Sequence, residues 1–96
     1  MVKKLSIREN TTKINNVNMN EFRKKFNDEY DFLYNAKNEV AGEREAIELF
    51  DNLCNNNENF LEFVREYVKS RGYDPISSDR ECAAFIFALD DMGVEF

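Results

Sequence analysis

Apolar residues recur every three or four positions along most of this chain, a spacing typical of amphipathic helices rather than strands. Four stretches carry such a stripe between residue 19 and residue 92. We therefore predict an all-α fold, a small four-helix domain. The four stripes are Met19, Phe22, Phe26, Tyr30 and Leu33; Val40, Ile47, Phe50 and Cys54, with Leu53 beside them; Phe60, Leu61, Val64, Tyr67 and Val68; and Cys82, Phe85, Ile86, Leu89 and Met92.

Residues that can cap a helix precede three of the stripes. Asn18 and Asn57 are candidate N-caps of the first and third helices, and Ser78 with Glu81 has the spacing of a capping box at the fourth. The second helix starts either before or after Gly42. A glycine inside a helix costs about 1 kcal/mol relative to alanine, so we prefer a start after Gly42, with residues 35–41 as a connection.

The third helix has a clear end, and the fourth is apolar on more than one side. Gly72 can take the left-handed conformation that ends a helix, with Tyr73 packing back on Val68. A helix that is apolar nearly all round is usually central. We predict that Phe60, Val64, Phe85 and Leu89 are buried. In the alternative arrangement, Phe87 is exposed on the fourth helix and forms part of a partner surface.

Charge divides the chain into two parts. Residues 1–25 carry seven Lys and Arg against two Glu, a net of +5, whereas residues 26–96 carry six basic and seventeen acidic residues, a net of −11. Residues 2–8 alternate apolar and polar side chains, which is typical of a short edge strand or an ordered arm. We therefore divide one domain into a basic N-terminal arm or strand, 1–17, and an acidic helical part, 18–96.

The side-chain inventory argues against catalysis and against a bound metal or cofactor. The chain has no histidine, and its three glycines are too far apart to form a phosphate-binding loop. Cys54 and Cys82 fall among apolar residues, so we expect two buried thiols. The carboxylates fall on polar helix faces, where nothing desolvates them. Residues 51–62 resemble a calcium loop in outline, but Leu53 stands where that loop needs an oxygen ligand.

The acidic part suggests a protein partner instead. Glu45, Glu48 and Asp51 follow one another along one side of the second helix at a spacing comparable to that of phosphates on a nucleic-acid strand. Such a face can steer the chain to a basic partner, or compete for a partner's nucleic-acid groove. We predict a non-enzymatic protein-binding module of the inhibitor, antitoxin or immunity type, with Glu45, Glu48, Asp51 and Phe87 as partner-binding residues.

Two alternatives remain open. The first is a self-assembling structural or regulatory subunit that forms a homodimer through the fourth helix. The second is a weak nucleic-acid binder that uses residues 3–25, which we disfavour because the acidic part repels polyanions. The chain contains neither an apolar signal-peptide region nor an apolar run of about 20 residues. We therefore expect a cytoplasmic protein without membrane contact.

Overall fold

The computed structural model describes residues 12–95, and four helices make up most of them. The helices are α1 (Met19–Asn35), α2 (Glu43–Asn56), α3 (Glu58–Ser70) and α4 (Asp79–Asp91). A short strand β1 (Thr12–Lys13) and a 3-10 turn (Ile14–Asn16) precede them, and β2 (Val94–Glu95) follows. The prediction of a four-helix, all-α domain is confirmed. The strand predicted at residues 2–8 lies outside the described residues.

All three predicted caps form. The side chains of Asn18 and Asn57 each accept the backbone N–H three residues further on, at 3.0 Å. Ser78 Oγ accepts the N–H of Glu81 at 3.2 Å, and Glu81 Oε1 accepts the N–H of Ser78 at 3.3 Å. Each cap satisfies backbone donors that the first turn of a helix leaves without an intrahelical partner.

The second helix begins after Gly42, as preferred. Gly42 has a φ of 84°, a left-handed conformation that L-residues rarely adopt. Glu43 then closes the turn, since its Oε1 accepts the N–H of Val40 and its own N–H donates to the Val40 carbonyl, both at 3.0 Å. Glu43 is only 6% exposed. The expectation that every carboxylate of this helix lies on a polar face is therefore wrong for Glu43, whose carboxylate serves as a local cap.

Helix α4 occupies the centre of the domain, with α1 and α2 packed against it. Phe85 and Leu89 are fully buried, as predicted. Six aromatic rings surround Phe85 at centroid distances between 4.8 and 6.3 Å, all edge-to-face. Such geometry places the positive edge of one ring on the negative face of another. The surrounding rings belong to Phe22, Phe26, Phe50, Phe60, Phe63 and Tyr67.

Helix α3 is rotated relative to its predicted orientation. Phe63 is 7% exposed and belongs to the core, whereas Val64 is only half-buried. The prediction for Val64 was wrong because two apolar stripes lie side by side on this helix. The stripe with the larger rings, Phe60, Phe63 and Tyr67, faces Phe85.

The turn after α3 also departs from expectation in one respect. Gly72 is left-handed, with a φ of 76°, as predicted. Tyr73 does return toward Val68, but through its backbone N–H, which donates to the Val68 carbonyl at 2.8 Å. Its side chain is 71% exposed. The predicted packing of Tyr73 on Val68 is therefore replaced by a backbone hydrogen bond.

Arg71 joins α3 to the start of α4. Its Nη1 donates to Tyr67 Oη and its Nη2 to Glu81 Oε2, both at 2.9 Å. Its guanidinium also donates to the carbonyls of Asp74 and Pro75, at 2.7 and 2.9 Å. Burial alone would raise the pKa of Glu81, but the Ser77 N–H and the Arg71 guanidinium outweigh it and hold that pKa below its ordinary value. The pair fixes the connection between the two helices.

Candidate protein-binding surface

The acidic residues predicted to bind a partner lie together on the outer side of α2. Glu45, Glu48 and Asp51 are all exposed, and none forms an ion pair within the described part of the chain. Each step of three residues rises about 4.5 Å and falls about 60° short of a full turn. The three carboxylates, the acidic ridge, therefore follow a shallow spiral about 9 Å long instead of a straight line.

Leu49 adds an apolar contact to this surface that the sequence analysis did not identify. It is 39% exposed and lies one turn after Glu45, next to Glu48. On a helical projection it lies at the edge of the apolar stripe of α2, about 60° from the buried Ala46 and about 40° from Glu45. That position was the signal available in the sequence: a leucine at the edge of the apolar stripe, beside an acidic residue.

One cation borders the acidic ridge. Arg44 precedes Glu48 by one turn and is exposed, and its guanidinium pairs with Glu39 at 3.2 Å. Because both partners are largely exposed, this ion pair contributes at most about 1 kcal/mol. Arg44 therefore neutralises a residue of the connection before α2 and not the ridge itself.

Phe87 does not join the acidic ridge. It is half-buried on α4 and packs against the core, and a Cβ built at Gly42 would lie 3.9 Å from its ring. The large hydrophobic side chains exposed in the described part of the chain lie elsewhere, at Phe32, Tyr34, Leu49 and Tyr73. Helix α4 thus lacks the free apolar face that motivated the homodimer hypothesis. Whether Phe87 contributes to binding, and whether the chain dimerises, stay predictions.

The two cysteines are free and half-buried, so the expectation of fully buried thiols holds only in part. Burial raises the pKa of Cys54, and the Asp51 carboxylate adds to the effect. Burial raises the pKa of Cys82 to about 11, with further contributions from Asp79 and from Cys54. Because the thiolate is the reactive form of cysteine, neither environment favours nucleophilic chemistry near neutral pH.

A pair of carboxylates between α1 and α4 was missed by the sequence analysis. Burial raises the pKa of Glu29 to about 7, and a hydrogen bond to Asp91, together with the charge of Asp91, adds to it. The charge of Lys25 lowers the pKa of Glu29, and the charge of Asp28 raises it. The two residues are 62 positions apart in the chain, so only the packing of α1 on α4 reveals the pair. Glu29 therefore gains or loses its proton near neutral pH.

A groove runs between the N-terminal segment and α3. Its apolar floor is formed by Ile14, Phe63, Val17 and Met19, of which the first two are buried. It encloses about 470 Å³, within the range of about 300–1,000 Å³ found for ligand sites. A second cavity of about 290 Å³ continues it. Both cavities are lined by Ile14, Asn15 and Asn59.

Neither similarity to known proteins nor a metal-binding or membrane-spanning feature of residues 12–95 points to another functional site. Comparison with protein-family models, curated proteins and solved structures found no match. Across residues 12–95, no group of three acidic or cysteine side chains is arranged to hold a metal ion. No helix in the same range is both long and apolar enough to cross a membrane. The acidic ridge and the groove are two of the surfaces that this part of the chain offers to a partner.

Proposed function

We propose that the protein is a non-enzymatic binding module, of the inhibitor, antitoxin or immunity type, that engages a basic protein partner through the acidic ridge. The observation that supports it most directly is that Glu45, Glu48 and Asp51 are exposed and that none of them forms an ion pair among the described residues. Their charge attracts a basic partner from a distance and orients its approach. A nucleic-acid-binding protein is the partner class that best matches a row of evenly spaced negative charges.

The rigidity of α2 supports the same proposal. The helix packs its buried side, which includes Ala46 and Phe50, against the central helix α4. The ridge is therefore held on a fixed scaffold, and binding does not require ordering of the backbone that carries it. Leu49 supplies an apolar contact beside Glu45, at one edge of the ridge. Interfaces typically combine such a contact with a polar rim that gives specificity.

The test starts from the partner recovered when the native chain is used as bait in extracts of its own host. Association is then followed at increasing salt for the native chain and for a variant with all three ridge residues changed to lysine. We expect the association rate of the native chain to fall steeply with salt, because screening removes the steering charge. We expect the triple variant to bind slowly or not at all.

A matched control separates position from net charge. Asp28, Asp31 and Asp90 are exposed and lie on α1 and α4, and their change to lysine alters the net charge by the same amount as the ridge variant. We expect both triple variants to stay folded, because an exposed substitution usually changes the free energy of unfolding by no more than about 0.5 kcal/mol. Circular dichroism checks that both remain helical. Unchanged binding by a folded ridge variant would show that the ridge is only solvated surface. Equal loss in both variants would show that overall charge, and not the ridge, drives association.

A further inference from the structure

We propose that the groove between the N-terminal segment and α3 binds a peptide segment of a partner protein that carries apolar side chains flanked by lysine or arginine. This surface lies on a different helix from the acidic ridge, so the proposal goes beyond the function proposed above and does not depend on it. It rests on the shape of the groove, its apolar floor and the charges along its rim.

The shape favours an elongated occupant. The two cavities share three lining residues and form one trough, whose wall on α3 extends from Asn59 to Ser70. Eleven residue steps along a helix correspond to about 16 Å. That length accommodates about three turns of a helix or about five residues of an extended strand. A compact small molecule would fill only one of the two cavities.

The floor and the rim give the chemistry of the occupant. The half-buried Val17 and Met19, lying over the buried Ile14 and Phe63, provide the apolar surface against which aliphatic or aromatic side chains can pack. Glu62 and Glu66 stand one turn apart along one wall, and both are exposed. Within residues 12–95, Glu62 forms a loose ion pair with Arg65 at 3.6 Å, and each side chain of that pair is 67% exposed. The wall therefore presents negative charge beside an apolar floor.

Charge complementarity then selects a basic amphipathic segment. An occupant with apolar side chains one helical turn apart places them on the floor, and lysine or arginine beside them reaches Glu62 and Glu66. Lys69 marks one end of the wall with the opposite charge, and the second cavity is lined by one cation, Lys13, and one carboxylate, Glu95. We therefore expect basic residues of the occupant to cluster toward the Glu62 end.

The test uses the full chain labelled with nitrogen-15 and a synthetic amphipathic peptide of about twelve residues, with leucines one turn apart and lysines beside them. Two matched peptides serve as controls, one with glutamate in place of lysine and one with serine in place of leucine. We expect the first peptide to shift the amide signals of Val17, Phe63 and Glu66 in a saturable manner. We expect both control peptides to leave these signals nearly unchanged.

Variants of exposed residues then locate the contact without disturbing the fold. Glu62→Lys and Glu66→Lys are each expected to weaken binding about fivefold at low salt. Asp31→Lys, a matched charge reversal at an exposed position on α1, is expected to leave it unchanged. Retention of helicity in all three variants, checked by circular dichroism, keeps the comparison valid.

Four outcomes would overturn the proposal. No saturable shift with the basic peptide is the first, and equal binding of the glutamate peptide is the second. The third is a set of shifts confined to Glu45, Glu48 and Asp51, which would assign basic peptides to the acidic ridge and favour the proposed function alone. The fourth is a change of the groove signals with protein concentration in the absence of peptide, which would assign the groove to a second copy of the chain.

Discussion

Replacement of Phe85 by alanine removes the ring at the centre of the core. Truncation of a buried phenylalanine costs about 3–5 kcal/mol. We expect a loss at the upper end, about 4–5 kcal/mol, because Phe85 is fully buried and six rings contact it edge-to-face. Domains of this length have free energies of unfolding of about 5–14 kcal/mol. The substitution therefore removes a large part of the stability of the chain.

Urea unfolding followed by circular dichroism measures this loss. With a denaturant dependence of about 1.5 kcal/mol/M, a loss of 4–5 kcal/mol lowers the unfolding midpoint by about 3 M. Phe85→Leu provides a measurement if the alanine variant is already unfolded without urea, since we expect it to cost about 1.5 kcal/mol. The leucine side chain retains most of the apolar volume at this position.

Phe32→Ala is the matched control, because it deletes the same ring from a site that is 58% exposed. We expect it to cost within about 0.5 kcal/mol, as exposed substitutions usually do. A loss below about 1 kcal/mol for Phe85→Ala, or equal losses at the two positions, would refute the central position of α4.

The remaining predictions concern ionisable groups. Because the pKa of Glu29 is raised to about 7 next to Asp91, this group stabilises the fold fully below its ordinary pKa near 4.5 and loses that contribution as the pH rises through 7. Thermal melts between pH 5 and 8 should show this decline in the native chain and a flatter profile in Glu29→Gln. Arg71→Met should lower the free energy of unfolding by about 3 kcal/mol at neutral pH, because Glu81 then keeps a largely buried charge without the guanidinium. Urea melts should show a smaller loss in acid, where Glu81 is protonated. Because burial raises the pKa of Cys82 to about 11, its reaction with a disulfide reagent at pH 8 should be about 100-fold slower in the folded chain than in urea.

The features predicted from the sequence are those set by neighbours in the chain. The caps at Asn18, Asn57 and Ser78 each depend on residues within three positions, so a short motif is sufficient to identify them. The left-handed glycines at 42 and 72 follow from the same local rule, since a side chain at positive φ is strained. The central position of α4 was predictable because apolar residues cover most of its circumference.

The features missed depend on contacts between distant segments. Phe63 and Val64 compete for the core, and the position of Phe85 decides between them. The Glu29–Asp91 pair forms only because α1 and α4 pack together. The groove arises between the 3-10 turn and α3, two segments about 50 residues apart in the chain. The exposure of the acidic ridge was predictable because its residues repeat on the polar side of one helix.

The position of the central helix also determines when the chain can fold during synthesis. The helix around which the others pack is the last of the four to leave the ribosome. The strand β1 pairs in parallel with β2, which follows that helix, so β1 has no partner until Val94 has been synthesised. Until then the apolar sides of α1 and α2 have no central surface on which to close, and they stay accessible to chaperones and proteases. A nascent chain that ends at Ser78 should therefore be degraded rapidly, whereas a few further turns of helix should make it resistant.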